Sequence, residues 1–255
     1  MQITFIQAIL LSLVAFLTGG ERFSETFYIC RPLIVSTLAG LVVGNLSVGL
    51  ATGAAVELAA VGIAPIGGAS VPDWIIAAIM TVVIAHTTGV DINSAFGIGF
   101  TFGYLMQYVI ILQRTAYSVF VPKCDEMAKK LNIKGMVRTQ ILGFAIIGAL
   151  YAIITFLCVY VAQDVITTLV NSFPEKLMHG LSVAGGLMPA IGFGILLTVI
   201  YKPKYLPYLI LGFVSATFIS FNNILPTALI GLAMALMSYY SNKNKESEVN
   251  ENDGI

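Results

Sequence analysis

The sequence predicts an all-α, polytopic integral membrane protein with broken or re-entrant helices arranged as inverted repeats. Three observations predict it. The first is composition: of 255 residues, 58% are apolar and 10% charged, where a soluble domain carries about 45–50% apolar and about 25% charged residues. Mean hydropathy is +0.91. Thirteen basic and 13 acidic side chains give zero formal net charge. This balance excludes a nucleic-acid binder, an ordinary soluble enzyme and a disordered chain. The second is charge placement: no Lys, Arg, Asp or Glu occurs from Met1 to Gly20, Pro32 to Val56, Thr139 to Gln163, Leu177 to Tyr201, or Tyr205 to Asn242. Several of these runs reach the roughly 20 residues that cross a hydrocarbon core. Backbone removed from water must hydrogen-bond internally, which runs this long achieve as helices. A barrel of strands would alternate apolar and polar residues instead. The third is a pair of apolar segments interrupted by Gly and Pro, one in each half of the chain, the pattern of a transporter built from inverted repeats.

The segments follow in order. Residues 1–20 are apolar but have neither a basic start nor an A-x-A cleavage site, so they read as a retained membrane or interfacial segment. Arg31 precedes Pro32 and marks a membrane edge, its stem lying along apolar surface. From Gly40 to Gly68 the run GLVVGNLSVGLATGAAVELAAVGIAPIGG carries Gly40/Gly44 and Gly49/Gly53 at helix-packing spacing. Pro65, Gly67, Gly68 and Pro72 then break any regular helix. Such backbone is tolerated at membrane depth only when buried in protein or lining a wet cavity. Its counterpart in the second half is GLSVAGGLMPAIGFG, Gly180–Gly194.

The stretch from Lys123 to Arg138 has the polarity of a solvated loop or a short surface helix. It holds five basic residues (Lys123, Lys129, Lys130, Lys134, Arg138) and two acidic ones (Asp125, Glu126). By the positive-inside rule it is cytoplasmic. Thr139–Gln163 then crosses outward, Asp164–His179 lies outside, and Gly180–Tyr201 returns. Tyr205–Phe221 and Leu225–Tyr240 form the last pair. Lys202, Lys204, Lys243 and Lys245 all fall on the cytoplasmic side. The expected organisation is therefore a membrane-embedded domain over 1–241, with halves of about 1–122 and 139–241 joined by the cytoplasmic loop 123–138. A polar, disordered cytoplasmic tail over 242–255 follows.

Few residues can carry chemistry. Glu57 has 25 uncharged residues before it and 15 after it. A carboxylate there costs at least about 2.5–3.5 kcal/mol to insert, so it faces a cavity or a partner. It is a substrate hydrogen-bond acceptor, a proton carrier, or a structural carboxylate paired with Arg31. Asp73, after Pro72, is placed to cap the next helix and equally to bind sugar hydroxyls where a broken helix meets a cavity. Asn222 and Asn223 form an external turn or line the substrate path. His86 and His179 read as hydrogen-bonded structural residues. Cys30, Cys124 and Cys158 are far apart and give neither a metal spacing nor a disulfide framework. No nucleotide motif occurs, so energy for transport comes from a gradient or from partner proteins. No cofactor and no metal are expected.

Several blocks carry a resemblance. RPLIVSTLAGLVVG (Arg31–Gly44), GLATGAAVELAAVGIAPIGGASVPD (Gly49–Asp73), GLSVAGGLMPAIGFG (Gly180–Gly194), YLPYLILGFV (Tyr205–Val214) and SFNNILPTALIG (Ser220–Gly231) together resemble the IIC subunit of the mannose/fructose/sorbose class of bacterial phosphoenolpyruvate:sugar phosphotransferase systems. KCDEMA and VAGGLMPAIGF are most similar to N-acetylgalactosamine or galactosamine carriers, whereas Pro72-Asp73 is more like the mannose type. The resemblance implies a multi-pass protein of the bacterial inner membrane that is not an enzyme by itself. It implies a second membrane subunit, IID, and cytoplasmic IIA and IIB phosphocarriers, the last of which phosphorylates the emerging sugar. It also implies a hetero-oligomer and substrate-binding roles for Glu57, Asp73 and Asn222. Two other readings are a stand-alone ion-coupled transporter with Glu57 as proton carrier, and a non-transporting membrane scaffold or receptor.

Overall fold

The computed structural model describes residues 2–63, 71–219 and 225–252. Every regular element among them is helical. In chain order these are α1 (Phe5–Ser24), α2 (Pro32–Val43), α3 (Leu46–Ala60), α4 (Trp74–Thr88), α5 (Ile92–Tyr117), α6 (Phe120–Lys129), α7 (Ile133–Phe156), α8 (Gln163–Asn171), α9 (Glu175–Ile200), α10 (Leu206–Phe218) and α11 (Leu225–Asn252). A five-residue π turn, Leu157–Val161, extends α7. The segments Phe5–Arg22, Ile92–Tyr117, Ile133–Val161 and Glu175–Ile200 are long and apolar enough to cross a membrane.

Others are too short. At 1.5 Å per residue, α2 reaches about 18 Å and α3 and α4 about 22 Å, against a hydrocarbon core of roughly 30 Å. The charge-free run Pro32–Val56 thus forms a broken hairpin in place of a single span. The break has a local cause. Gly44 ends α2 in the left-handed region, at φ 78°, where a side chain would be strained. Asn45 then caps α3 by accepting from the Val48 amide at 3.2 Å. Gly44 therefore serves the turn, while Gly40 and Gly49 face each other across the hairpin: a Cβ at Gly40 would lie 2.7 Å from the Gly49 Cα.

α4 is the hub. From Trp74 to Ala85 every residue is buried, as expected of a helix apolar on all sides. It packs against α1, α2, α3 and α5. α5 approaches closely because Gly103 lacks a side chain: a Cβ there would lie 2.6 Å from the Asp73 carbonyl oxygen. α1 lies along α7, with Gly20 beneath the Phe144 ring and Phe16 edge-on to Phe144 at 6.0 Å. Their ends run antiparallel: the Ile3 amide donates to the Gln163 side chain at 2.6 Å, and Tyr151 sits beside Gly19.

Two compact units result, Met1–Leu197 and Thr198–Ile255. Glycine-mediated packing joins α1 and α7, which lie on either side of the stretch 123–138, within the first unit. The polar stretch 123–138 is divided between α6 and the first turns of α7. α11 carries its helical backbone through most of the stretch expected to be a disordered tail. No Gly or Pro interrupts the sequence between Gly231 and Gly254, so nothing local stops the helix.

Candidate functional site

The N-terminus of α4 is a charged cluster enclosed by apolar helices. Pro72 restricts the chain before it, and Asp73 occupies the N-cap, where a short carboxylate meets the exposed amides of the first turn. Its Oδ1 accepts from the Ile76 amide at 2.8 Å. Its Oδ2 accepts from the Tyr151 hydroxyl of α7 at 2.5 Å and lies 3.3 Å from the Arg22 guanidinium of α1. The Asp73 amide donates to the Gly103 carbonyl at 3.0 Å. Asp73 has no exposed surface. Asp73 caps the helix, one of the two readings of its sequence position, and also anchors two polar side chains from other helices, which its sequence position did not suggest.

Those two side chains line a cavity. Arg22 and Tyr151 join Gln113, Arg114 and Tyr117, with Ile110 and Ile147, around a space of about 310 Å³. Tyr117 is fixed by donating to the Gly143 carbonyl at 2.8 Å. Arg22 has 22% of its side chain exposed and one carboxylate partner among the described residues.

Glu21 is a second buried carboxylate, at 2% exposure. It accepts from the amides of Phe27, Tyr28 and Cys30 at 2.8, 2.9 and 3.1 Å. These bonds fold the α1–α2 connection back on α1, although Glu25 and Tyr28 must adopt φ of 44° and 57°, uncommon for side-chain-bearing residues. Burial and the hydrogen bond with Glu21 push the Cys30 thiol up to about 12.

Glu57 belongs to a different ion pair. Its Oε1 meets the Arg31 guanidinium, and its Oε2 accepts from the Leu33 amide at 3.2 Å. α2 has no side-chain cap of its own, so a carboxylate from α3 serves its first turn, where the helix dipole favours negative charge. Among the described residues no hydrogen bond or ion pair joins this pair to the Asp73 cluster. Asn222 and Asn223 lie outside the described residues, as do Pro65, Gly67 and Gly68.

The two Gly-rich segments do meet. A Cβ on Gly192 would lie 2.5 Å from the Leu58 carbonyl oxygen, and one on Gly62 would strike the Gly192 carbonyl. His179 borders a separate cavity of about 380 Å³ with Asp91, Ser94 and Ser182. Asp91 caps α5 there and accepts from the Ser182 hydroxyl at 3.0 Å. His86 stands in the last turn of α4.

Glu21 and Arg22 were not singled out by the sequence, since GGERF ends an apolar run and looks like a membrane edge. The available signal was two adjacent charges directly after Gly19-Gly20, small residues at which a neighbouring helix can close in.

Comparison with known proteins gives a consistent picture. A solved structure described as a membrane protein superposes with a TM-score of 0.81 at 27% identity, covering 94% of this chain and 97% of that one. The mannose transporter ManYZ, solved in complex with microcin E492, gives 0.57 at 26% identity over 94% and 97% of the two chains. N-acetylgalactosamine permease IIC component 1 of Escherichia coli (strain K12) is 41% identical over 96% of this chain and 92% of its own length. The family described as the PTS system sorbose-specific IIC component matches residues 5–237. The chain is thus a multi-pass membrane protein and belongs to the sorbose-specific IIC component family of the phosphotransferase system.

Proposed function

We propose that this chain is the sugar-translocating IIC subunit of a phosphotransferase complex in a bacterial inner membrane. It takes a hexose or amino sugar from outside and passes it inward to IIB, which phosphorylates it. It works with the membrane subunit IID and the cytoplasmic carriers IIA and IIB, and is not an enzyme by itself. The observation that carries this reading is the Arg22–Asp73–Tyr151 cluster. Charges enclosed in an apolar bundle are expensive and mark substrate paths, and this cluster borders a cavity with amide, phenol and guanidinium groups. Such groups exchange with the water around sugar hydroxyls.

In this reading the Arg22 guanidinium, Gln113 and Tyr151 face the sugar, and Asp73 holds Arg22 and Tyr151 in place from behind. The resemblance to IIC subunits also supports substrate-binding roles for Glu57, which Arg31 holds, and for Asn222. The galactosamine type of substrate is supported by the 41% identical relative, and a second membrane subunit by the likeness to ManYZ. A stand-alone ion-coupled carrier gains nothing from these relatives, whose named members are IIC components.

The test is uptake of labelled sugars into vesicles holding this chain with or without IID, energised through IIA, IIB and phosphoenolpyruvate. The expected result is uptake only with IID, with N-acetylgalactosamine or galactosamine preferred over fructose and sorbose. Uptake by proteoliposomes holding this chain alone would overturn the reading.

A further inference from the structure

The cavity beside the Asp73 cluster holds more positive charge than a neutral sugar can use. Its charged walls are Arg22 of α1 and Arg114 of α5, and no carboxylate lines it. Arg114 stands in the last turn of α5. It is the one charged residue in the sequence from Ile92 to Tyr117. Among the described residues its side chain makes no ion pair and no hydrogen bond. The carboxylates that attract Arg22 stand elsewhere. Asp73 has no exposed surface, and Glu25 belongs to the exposed C-cap of α1.

A cation near the end of a helix gains from the helix dipole, which explains why Arg114 is tolerated in α5. It does not explain why Arg114 shares a wall with a second guanidinium. An ionisable side chain in an apolar span marks a ligand path by default, and the planar guanidinium fork matches an oxyanion through paired hydrogen bonds. Sugar hydroxyls offer no charge to match. A phosphate monoester offers about −1.5 to −2 charge near pH 7 and three strong acceptor oxygens. α5 also ends three residues before Phe120 and the polar stretch 123–138, the side that the positive-inside rule makes cytoplasmic. That is the side on which IIB acts in the proposed function.

We infer that this cavity also binds the phosphorylated form of the carried sugar, with the phosphate held by Arg114 and Arg22 and the sugar ring toward Gln113 and Tyr151. The cavity is then matched to the product of the phosphotransferase reaction as well as to its substrate. Product held there competes with the next sugar. The inference rests on the proposed function, because it takes the carried sugar to occupy this cavity. Inorganic phosphate and the headgroup of an anionic lipid carry the same oxyanion and serve as the controls.

The test uses the full chain purified from membranes in mild detergent, with any membrane subunit that accompanies it. Isothermal titration compares N-acetylgalactosamine, N-acetylgalactosamine 6-phosphate, inorganic phosphate and dioctanoyl phosphatidylglycerol. The sugar phosphate should bind about tenfold more tightly than the sugar. Arg114→Gln should bring the two affinities within about twofold of each other, and Arg114→Lys should keep part of the difference. Arg114 is exposed, so these variants should fold, and gel filtration checks that they do. Equal affinities in the wild type would overturn the inference. So would a ratio that Arg114→Gln leaves unchanged, as it would if Arg114 only snorkels to the membrane edge. Displacement of the sugar phosphate by an equal concentration of inorganic phosphate or of phosphatidylglycerol would assign the arginines to a free anion or a lipid headgroup and overturn it as well. None of these results touches the test of the proposed function, which fails on its own readout, sugar uptake without IID.

Discussion

Replacing Asp73 by Asn changes one atom and removes one charge, yet its consequences differ at each contact. The N-cap bond to the Ile76 amide needs an acceptor, and Asn caps about as well as Asp. The Tyr151 hydroxyl also needs an acceptor. A carboxylate serves both donors, whereas an amide has one oxygen, so one buried donor faces an NH₂ group and loses its partner at about 1–3 kcal/mol. Arg22 loses its carboxylate as well. Breaking a buried ion pair from one side costs about 3–5 kcal/mol, and the partial exposure of Arg22 puts the effect toward the lower end of that range. Asp73→Asn should therefore lower stability by roughly 4–6 kcal/mol in total, in addition to weakening sugar uptake. The double variant Asp73→Asn/Arg22→Gln should recover part of that loss, because no unpaired charge remains. The assay is thermal unfolding in detergent, followed by size-exclusion fluorescence, for wild type, both singles and the double. Single variants as stable as wild type, or strictly additive losses, would refute the assignment of a coupled buried pair.

Tyr151→Phe removes a hydroxyl and leaves the ion pair, so it should cost about 1.5–3 kcal/mol in the same assay and still reach the membrane. Gly103→Leu drives a side chain into the Asp73 carbonyl and should destabilise by about 1–3 kcal/mol or more, read as loss of monodisperse protein. With burial and the hydrogen bond with Glu21 pushing its thiol up, Cys30 should label slowly with maleimide at pH 8. Glu21→Gln should speed that labelling. Cys124, in the basic stretch, should label with an impermeant reagent only after permeabilisation of cells.

The charge-free runs made most of the long helices legible, since a 20-residue apolar stretch has few alternatives in a bilayer. The run Pro32–Val56 hid two helices. Its punctuation, Gly44 followed by Asn45, is a helix stop followed by a helix start, a signal of two residues inside an otherwise uniform stretch. Gly99 and Gly103, four apart in α5, were a packing signal of the same type as Gly40/Gly44. Asp73 was legible as a cap because Pro72 and Trp74 frame it. Its partners were not: Arg22 and Tyr151 lie 51 and 78 positions away in the chain, and only packing of α1 and α4 with α7 brings them together. The Arg31–Glu57 pair was foreseeable because each is an isolated charge at the margin of the same apolar run.

The most direct test of the account is a structure of the purified membrane complex saturated with N-acetylgalactosamine or galactosamine. The account predicts the sugar in the cavity bordered by Arg22, Gln113 and Tyr151, with the Asp73–Arg22 contact retained behind it. A sugar bound away from that cavity, with the Arg22–Asp73–Tyr151 cluster untouched by ligand, would contradict it and reduce the cluster to a device that holds α1, α4 and α7 together.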